Sequence, residues 1–221
     1  MRKLASEQID SLQEALHLPD TIAISDYLGS GARADVFRGT LDGQDVVIKA
    51  YQRSAAEKYW RRYRVDIAEF EFQRNTALFD IDTLRPHIAR PYCVFSQDSD
   101  YTHALVQQWV EGERLSALYR RQGFIPDDLI HQGFAIVGAA SKADLYDLDI
   151  NAGNIFVINT DGTAKLMLCD FNMVPQHLYP PNPFLWLAYR LRIRPKSYRD
   201  ERNLRKWLQR RKPGSPDWPM K

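Results

Sequence analysis

The chain has 221 residues, a formal net charge of +2, 44% apolar and 26% charged residues, which is the profile of a globular protein with enough chain for one domain or two small lobes. No apolar segment approaches the roughly 20 residues that cross a bilayer, and the start MRKLASEQID lacks the apolar core of a signal peptide, so a cytoplasmic protein is expected. Two cysteines, Cys93 and Cys169, exclude a disulfide framework; both sit in apolar runs, where buried thiols are expected.

In chain order, Ile9, Leu12 and Leu16 recur at helical spacing, with Ser6 placed to cap and Leu18-Pro19-Asp20 placed to end the segment. Residues 1–21 therefore read as a short leading helix. Ile22 to Leu28, then GSGARADVFRGT, then a turn at Leu41-Asp42-Gly43-Gln44 and the run DVVIKAY predict a three-strand meander. The turn Gly29-x-Gly31-x-x-Ala34-x-Val36 is followed by another strand with no helical period. Its glycines thus suit a hairpin whose N–H groups fold over phosphates, rather than the start of a dinucleotide-binding helix; an ordinary glycine hairpin is the alternative.

Lys49 lies inside VVIKAY, and a lysine within a buried strand needs a partner. Alternation offers a plainer reading, with Lys49 on a solvent face and Ile48 and Ala50 on the other. From Ser54 to about Phe79 one long helix is expected, on which Ala68, Glu71, Asn75 and Leu78 share a stripe. Glu71 is placed to meet Lys49, whereas Glu69 points about 160° away. The arginines at 53, 61, 62 and 64 suit a solvated basic face.

Pro86 to Tyr92 reads as a loop into the strand CVF, and HALVQQWV as the next strand, breaking at Glu111-Gly112-Glu113 before a helix from Leu115 to Arg121. This break suits a hinge between a lobe of residues 22–111 and one of 112–221, where the backbone at Gln108 and Val110 could meet an adenine edge. His87, His103 and His131 show no ligand spacing. A helix over 127–143 leads to the loop DLDINAGN, Asp147 to Asn154. Asp149 and Asn154 stand five positions apart, followed by two apolar runs and then Asp170-Phe171-Asn172. Phosphoryl transfer uses this arrangement: one carboxylate holds the attacking hydroxyl, while an amide and a second carboxylate hold the metal. A polar turn between strands is the alternative reading of the same residues.

The order of glycine hairpin, strand Lys, helix Glu, hinge, Asp-x4-Asn loop and Asp-Phe-Asn resembles the protein-kinase-like superfamily over residues 22–172. The resemblance implies an α+β, bilobal protein-kinase-like fold: a five-stranded antiparallel N-lobe with one long helix, a shortened helical C-lobe, and ATP with Mg2+ in the cleft. It also implies roles. Lys49 would hold the α- and β-phosphates, Glu71 would hold Lys49, Gly29, Gly31 and Val36 would cover the nucleotide, Asp149 would act on the substrate hydroxyl, and Asn154 and Asp170 would bind the metal. Three positions depart from the pattern: Ala34 replaces a glycine, Asn172 replaces another, and Asp147 stands where His is usual. A second carboxylate near Asp149 calls for repulsion or an exposed position.

Asn151 occupies the position two after the catalytic Asp, where Ser/Thr protein kinases place Lys, and no Ala-Pro-Glu follows Asn172. DINAGNIF is similar to the loop of bacterial lipopolysaccharide-core sugar kinases, the Kdo and heptose kinases. That likeness implies a sugar hydroxyl of the lipopolysaccharide inner core as acceptor, at the cytoplasmic membrane face. A small Ser/Thr protein kinase and a catalytically inert binding module are the alternatives.

The charge is uneven: residues 1–180 hold 18 Lys/Arg against 25 Asp/Glu, residues 181–221 hold 12 against 3. With the aromatic patch Phe184 to Tyr189, this basic tail suits peripheral contact with an anionic inner membrane. The same composition could bind nucleic acid, the less expected partner, or could simply supply core aromatics and a solvated helix.

Overall fold

In a computed structural model, residues 2–3, 6–16, 18–97, 102–170 and 174–214 are described. Phe171 and Asn172, and the side chain of Ser6, lie outside the described residues. The chain divides into two compact units, Met1–Asp80 with Ala89–Trp109, and Ile81–Ile88 with Val110–Lys221.

The first unit is built on an antiparallel sheet. Its strands are β1 (Arg2–Lys3), β2 (Ile22–Ser30), β3 (Ala34–Leu41), β4 (Gln44–Tyr51), β5 (Pro91–Gln97) and β6 (Thr102–Gln108), in the order β1-β2-β3-β4-β6-β5. The five expected strands are thus joined at one edge by the two-residue β1. Asp42 and Gly43 both take positive φ, 49° and 80°, the geometry that matches a two-residue hairpin to strand twist.

Alternation on β4 sorts its residues between two covered faces. Val46, Ile48 and Ala50 join Ile22, Ile24, Phe37, Ala104 and Val106 in one core. Ile9 and Leu12 of helix α1 (Ser6–Ala15), and Leu16 just past it, pack against that core. The expected stretch Ser54–Phe79 is not one helix but two, α2 (Arg53–Tyr63) and α3 (Ile67–Phe79). Arg64 adopts the left-handed conformation that ends α2, and the Asp66 carboxylate restarts the helix by accepting from the N–H groups of Ala68 and Glu69. α3 then packs on β5 and β6.

The second unit holds a small antiparallel sheet, β7 (Glu113–Arg114), β8 (Ile155–Thr160) and β9 (Thr163–Leu168), and helices α4 (Leu115–Gln122), α5 (Asp127–Lys142), α6 (Pro183–Arg190) and α7 (Tyr198–Leu208). Gln132 of α5 clamps β9, donating to Ala164 O at 2.9 Å and accepting from Leu166 N at 2.9 Å. His87, in a 3-10 turn at Arg85–His87, donates from Nδ1 to Leu166 O at 2.9 Å; burial pushes its pKa down.

The basic tail is divided by function. α7 lies on α5, with Leu204 and Trp207 buried, and a Cβ on Gly133 would stand 2.7 Å from the Trp207 ring, so glycine sets that close approach. The end of α7 is also tied down, Arg210 O accepting from Ile125 N at 2.7 Å. The apolar patch of α6 does not complete a core: Phe184, Trp186 and Leu187 are exposed, and Tyr189 alone of its aromatics turns inward. Cys93 and Cys169 are not joined in a disulfide and are half-buried rather than buried, since one lies on the edge strand β5 and the other just past β9.

Candidate functional site

Two sets of sequence-predicted residues are assembled, one in each unit. In the first, the hairpin between β2 and β3 carries Gly29 at φ 151°, a conformation that favours glycine, opposite Val36. Gly31 N donates to Ala34 O at 2.8 Å, and Gln52 N donates to Arg33 O at 2.9 Å, so the turn is tied to the end of β4. Lys49 pairs with Val36 across the same ladder. It is 8% exposed, so the solvent-face reading of β4 does not hold.

Lys49 Nζ donates to Glu71 Oε1 at 2.5 Å, and Glu71, at 0% exposure, also accepts from the Tyr51 hydroxyl on Oε2. Residues 49 and 51 share one face of the strand, so a single carboxylate on α3 receives both. Such a carboxylate is stable in the interior because both oxygens are bonded and one partner is cationic. Tyr51 was not singled out in the sequence; its place two after Lys49 is the signal. α3 is held in turn by Asp66, whose Oδ2 pairs with His103 Nδ1 at 2.5 Å. At the end of β6, Gln108 donates its N–H to Arg90 O at 2.8 Å and accepts from Arg90 N on its own Oε1 at 3.2 Å. Val110, two residues on, is buried.

In the second unit the loop between α5 and β8 alternates. Leu148 and Ile150 are buried, and Asp149 between them is half-buried. Asp147 and Asp149 adopt left-handed φ, 58° and 54°, strained conformations that Asp tolerates better than most and that persist where surroundings over-determine them. For Asp149 the surroundings are amides: Asn151 Nδ2 donates to Asp149 Oδ1 at 2.9 Å, and Asn154 Nδ2 to Asp149 O at 3.4 Å. For Asp147 they are reached from far along the chain. Asp200 of α7 accepts from Asp147 N at 2.7 Å and from Leu148 N at 2.9 Å. The Asp147 carboxylate accepts from Gln176 N at 2.6 Å and faces Arg199 Nε at 3.4 Å.

The expectation of an exposed or repelled Asp147 is therefore corrected. Asp147 is at 0% exposure, and its charge is met by a peptide N–H and a guanidinium, so it braces the loop. Asp200, Gln176 and Arg199 were missed as members of this site, though Asp200 shares a helical stripe with Leu204 and Trp207, which marks it as inward.

Ile155 pairs with Leu168, so Asn154, just before β8, and Asp170, two residues past β9, lie at the same end of the hairpin. Among the described residues no group of three or more His, Cys, Asp or Glu could cage a metal ion. Asn154 and Asp170 offer hard oxygen donors, a set that suits Mg2+ completed by phosphate oxygens and water.

No protein-family model and no curated protein matches the sequence. Solved structures do. The Mycobacterium tuberculosis PknI kinase domain aligns with a TM-score of 0.58 at 18% identity, over 91% of this chain and 78% of that one. A mutant form of the same domain aligns at 0.52 and 18% identity, over 71% of this chain and 62% of that one. A Rad53 fragment solved in complex with AMP-PNP aligns at 0.55 and 15% identity, over 75% of this chain and 42% of that one. The fold is that of protein kinase domains, an α+β fold with a mainly five-stranded antiparallel sheet. The chain spans less than two thirds of two of these three structures.

Proposed function

We propose that this protein is an ATP-dependent phosphotransferase whose acceptor is a sugar hydroxyl of the lipopolysaccharide inner core, met at the cytoplasmic membrane face. The buried Lys49–Glu71 pair carries the phosphotransferase reading. Well-packed apolar residues in place of a buried ion pair are often no less stable, so the pair is poor value for folding and well suited to fixing a cation for phosphate. Lys49 would hold the α- and β-phosphates, the turn carrying Gly29 and Gly31, with Val36, would cover them, and the backbone at Gln108 and Val110 would meet the adenine edge.

In the second unit Asp149 would orient the acceptor hydroxyl and take its proton as that oxygen bonds to the γ-phosphorus and the bond to the β–γ bridging oxygen breaks, releasing ADP. Asn154 and Asp170 would hold Mg2+, which supplies neutralisation of the phosphate charge when bound. The sugar acceptor is supported by Asn151, which engages Asp149 from the position where Ser/Thr protein kinases carry Lys. A second reading, transfer to protein Ser or Thr, is favoured by the kinase domains among the structural neighbours.

Turnover of ATP with Mg2+, measured with deacylated lipopolysaccharide core and separately with casein as acceptor, tests the proposal. Phosphate on the glycan is the expected result, and phosphate on casein alone selects the second reading. Asp149→Asn is expected to lower turnover by about 10²- to 10⁴-fold while nucleotide binding survives. Unchanged turnover removes Asp149 from the mechanism, and nucleotide binding without turnover in the parent protein points to an inert module.

A further inference from the structure

We infer that α6 and the turn after it form a docking surface for an anionic lipid bilayer, with Phe184, Leu187 and Leu191 entering the interface and Arg190 and Arg192 meeting the headgroups. This surface is distinct from the basic helix α7, whose inward stripe belongs to the core of the second unit.

The helix is fixed by one side only. Tyr189 reaches inward, its hydroxyl donating to Gln176 Oε1 at 3.4 Å and its ring meeting His177 edge-on at 6.4 Å. Asn182 caps the helix by accepting from Leu185 N at 2.9 Å. With Tyr189 turned in, Phe184, Leu187 and Leu191 fall at helical spacings of three and four on the other side. There they are left in water: Phe184 is 86% exposed, Leu187 45%, Leu191 58%, and Ile193 in the following turn 75%. Exposure of this many large apolar side chains together marks an interaction surface.

Charge selects the occupant. Residues 171–199 contain no Asp or Glu and five basic residues, Arg190, Arg192, Arg194, Lys196 and Arg199. Arg194, Lys196 and Arg199 turn to Gln176, Asp144 and Asp147. Arg190 and Arg192 remain exposed beside the apolar stripe, Arg190 lying over the Trp186 ring at 5.0 Å. Aromatic and leucine side chains next to arginines, in a stretch with no carboxylate from residue 171 to 199, match an interface of acyl chains and anionic headgroups. Among the described residues no helix is long and apolar enough to cross a membrane, so the contact is peripheral.

Cosedimentation of the full chain, without nucleotide, compares phosphatidylcholine vesicles with vesicles containing about one third phosphatidylglycerol. The chain is expected to sediment with the anionic vesicles. Phe184→Glu with Leu187→Glu is expected to weaken that binding by about a hundredfold or more, from the loss of two inserted apolar groups. Arg190→Gln with Arg192→Gln is expected to weaken it by roughly 25-fold, at about fivefold per basic residue. All four side chains are outward, so the urea midpoint of each variant stays at the parent value. Failure of the parent to bind, or unchanged binding by the Phe184/Leu187 variant, overturns the assignment. Self-association abolished by that variant, with no vesicle binding, overturns it in favour of a second copy. Vesicle binding is read without ATP, so it stands or falls separately from phosphotransfer.

Discussion

Glu71 in the first unit and Asp147 in the second are both closed off from water, and each is neutralised in a different way. Glu71 faces a cation and a phenol, Lys49 and Tyr51. Asp147 faces a peptide N–H and, at longer range, Arg199, while its own N–H is taken by another buried carboxylate, Asp200. In the first unit the carboxylate serves to fix a side chain, the ammonium of Lys49. In the second the carboxylates serve to fix backbone, holding the left-handed residue 147 so that Asp149 emerges two positions later. The difference predicts different consequences of mutation: loss of a placed charge on one side, loss of a placed loop on the other.

Glu71→Ala has the largest expected effect on stability. It strands a buried ammonium and a buried phenol, and removing one partner of a buried pair costs about 3–5 kcal/mol. Nucleotide affinity is expected to fall with it. Lys49→Met combined with Glu71→Leu removes both charges and is expected to recover part of that stability with none of the nucleotide binding. Urea midpoints and nucleotide titration separate the two. If the double variant is as unstable as Glu71→Ala, the pair is structural and its link to nucleotide is wrong.

Asp200→Ala comes next. It leaves the N–H groups of Asp147 and Leu148 without their charged acceptor, at about 1.5–3 kcal/mol in total once the loop relaxes and water reaches them. Turnover is expected to fall with loop order, although three elements, β8, β9 and α6, separate Asp200 from Asp149 in sequence. Asp200→Asn, which retains one acceptor oxygen, is expected to lie between parent and Ala in both urea midpoint and turnover. An Ala variant with parental stability and turnover would show that Asp147 holds its conformation without α7.

The contrast also explains what could be read from the sequence. The Lys49–Glu71 pairing was legible because both residues sit in regular elements, where a strand period of 2 and a helix period of 3.6 fix which side chains share a face. The break between α2 and α3 was not read, although Asp66 with Glu69 three residues later carries the capping signature. Helical spacing continues on both sides of Arg64 and Asp66, and the apolar pattern masked the restart. Asp147 was misplaced because its partners lie 29 and 53 residues on. No local pattern joins such distant residues, and only the inward stripe of Asp200, Leu204 and Trp207 hinted at the brace. In the tail, composition alone could not divide α7 from α6, since both are basic and aromatic and only packing decides which apolar residues find a core.

Asp66 extends the comparison to a carboxylate that does both jobs, capping α3 and pairing with His103. Burial, the largest single influence, raises its pKa, but the His103 hydrogen bond, the Glu69 amide, the His103 charge and the Ala68 amide together outweigh it, leaving the carboxyl below its ordinary value of 3.8. A carboxyl depressed in the folded state stabilises the fold above its unfolded pKa, and that contribution is lost as pH falls through the folded pKa. Asp66→Ala removes the cap and is expected to cost about 1 kcal/mol near neutral pH. Asp66→Asn retains capping and removes the charge, so its deficit relative to the parent is expected to be smaller. That deficit should shrink further as pH is lowered from about 6 to about 3, because protonation of the carboxyl, which sets in first in the unfolded parent chain, erodes the contribution of the charge. Urea midpoints at the two pH values measure this directly. A deficit that is constant or grows on acidification would mean that the charge on Asp66 does not contribute, and that α3 is held by the cap alone.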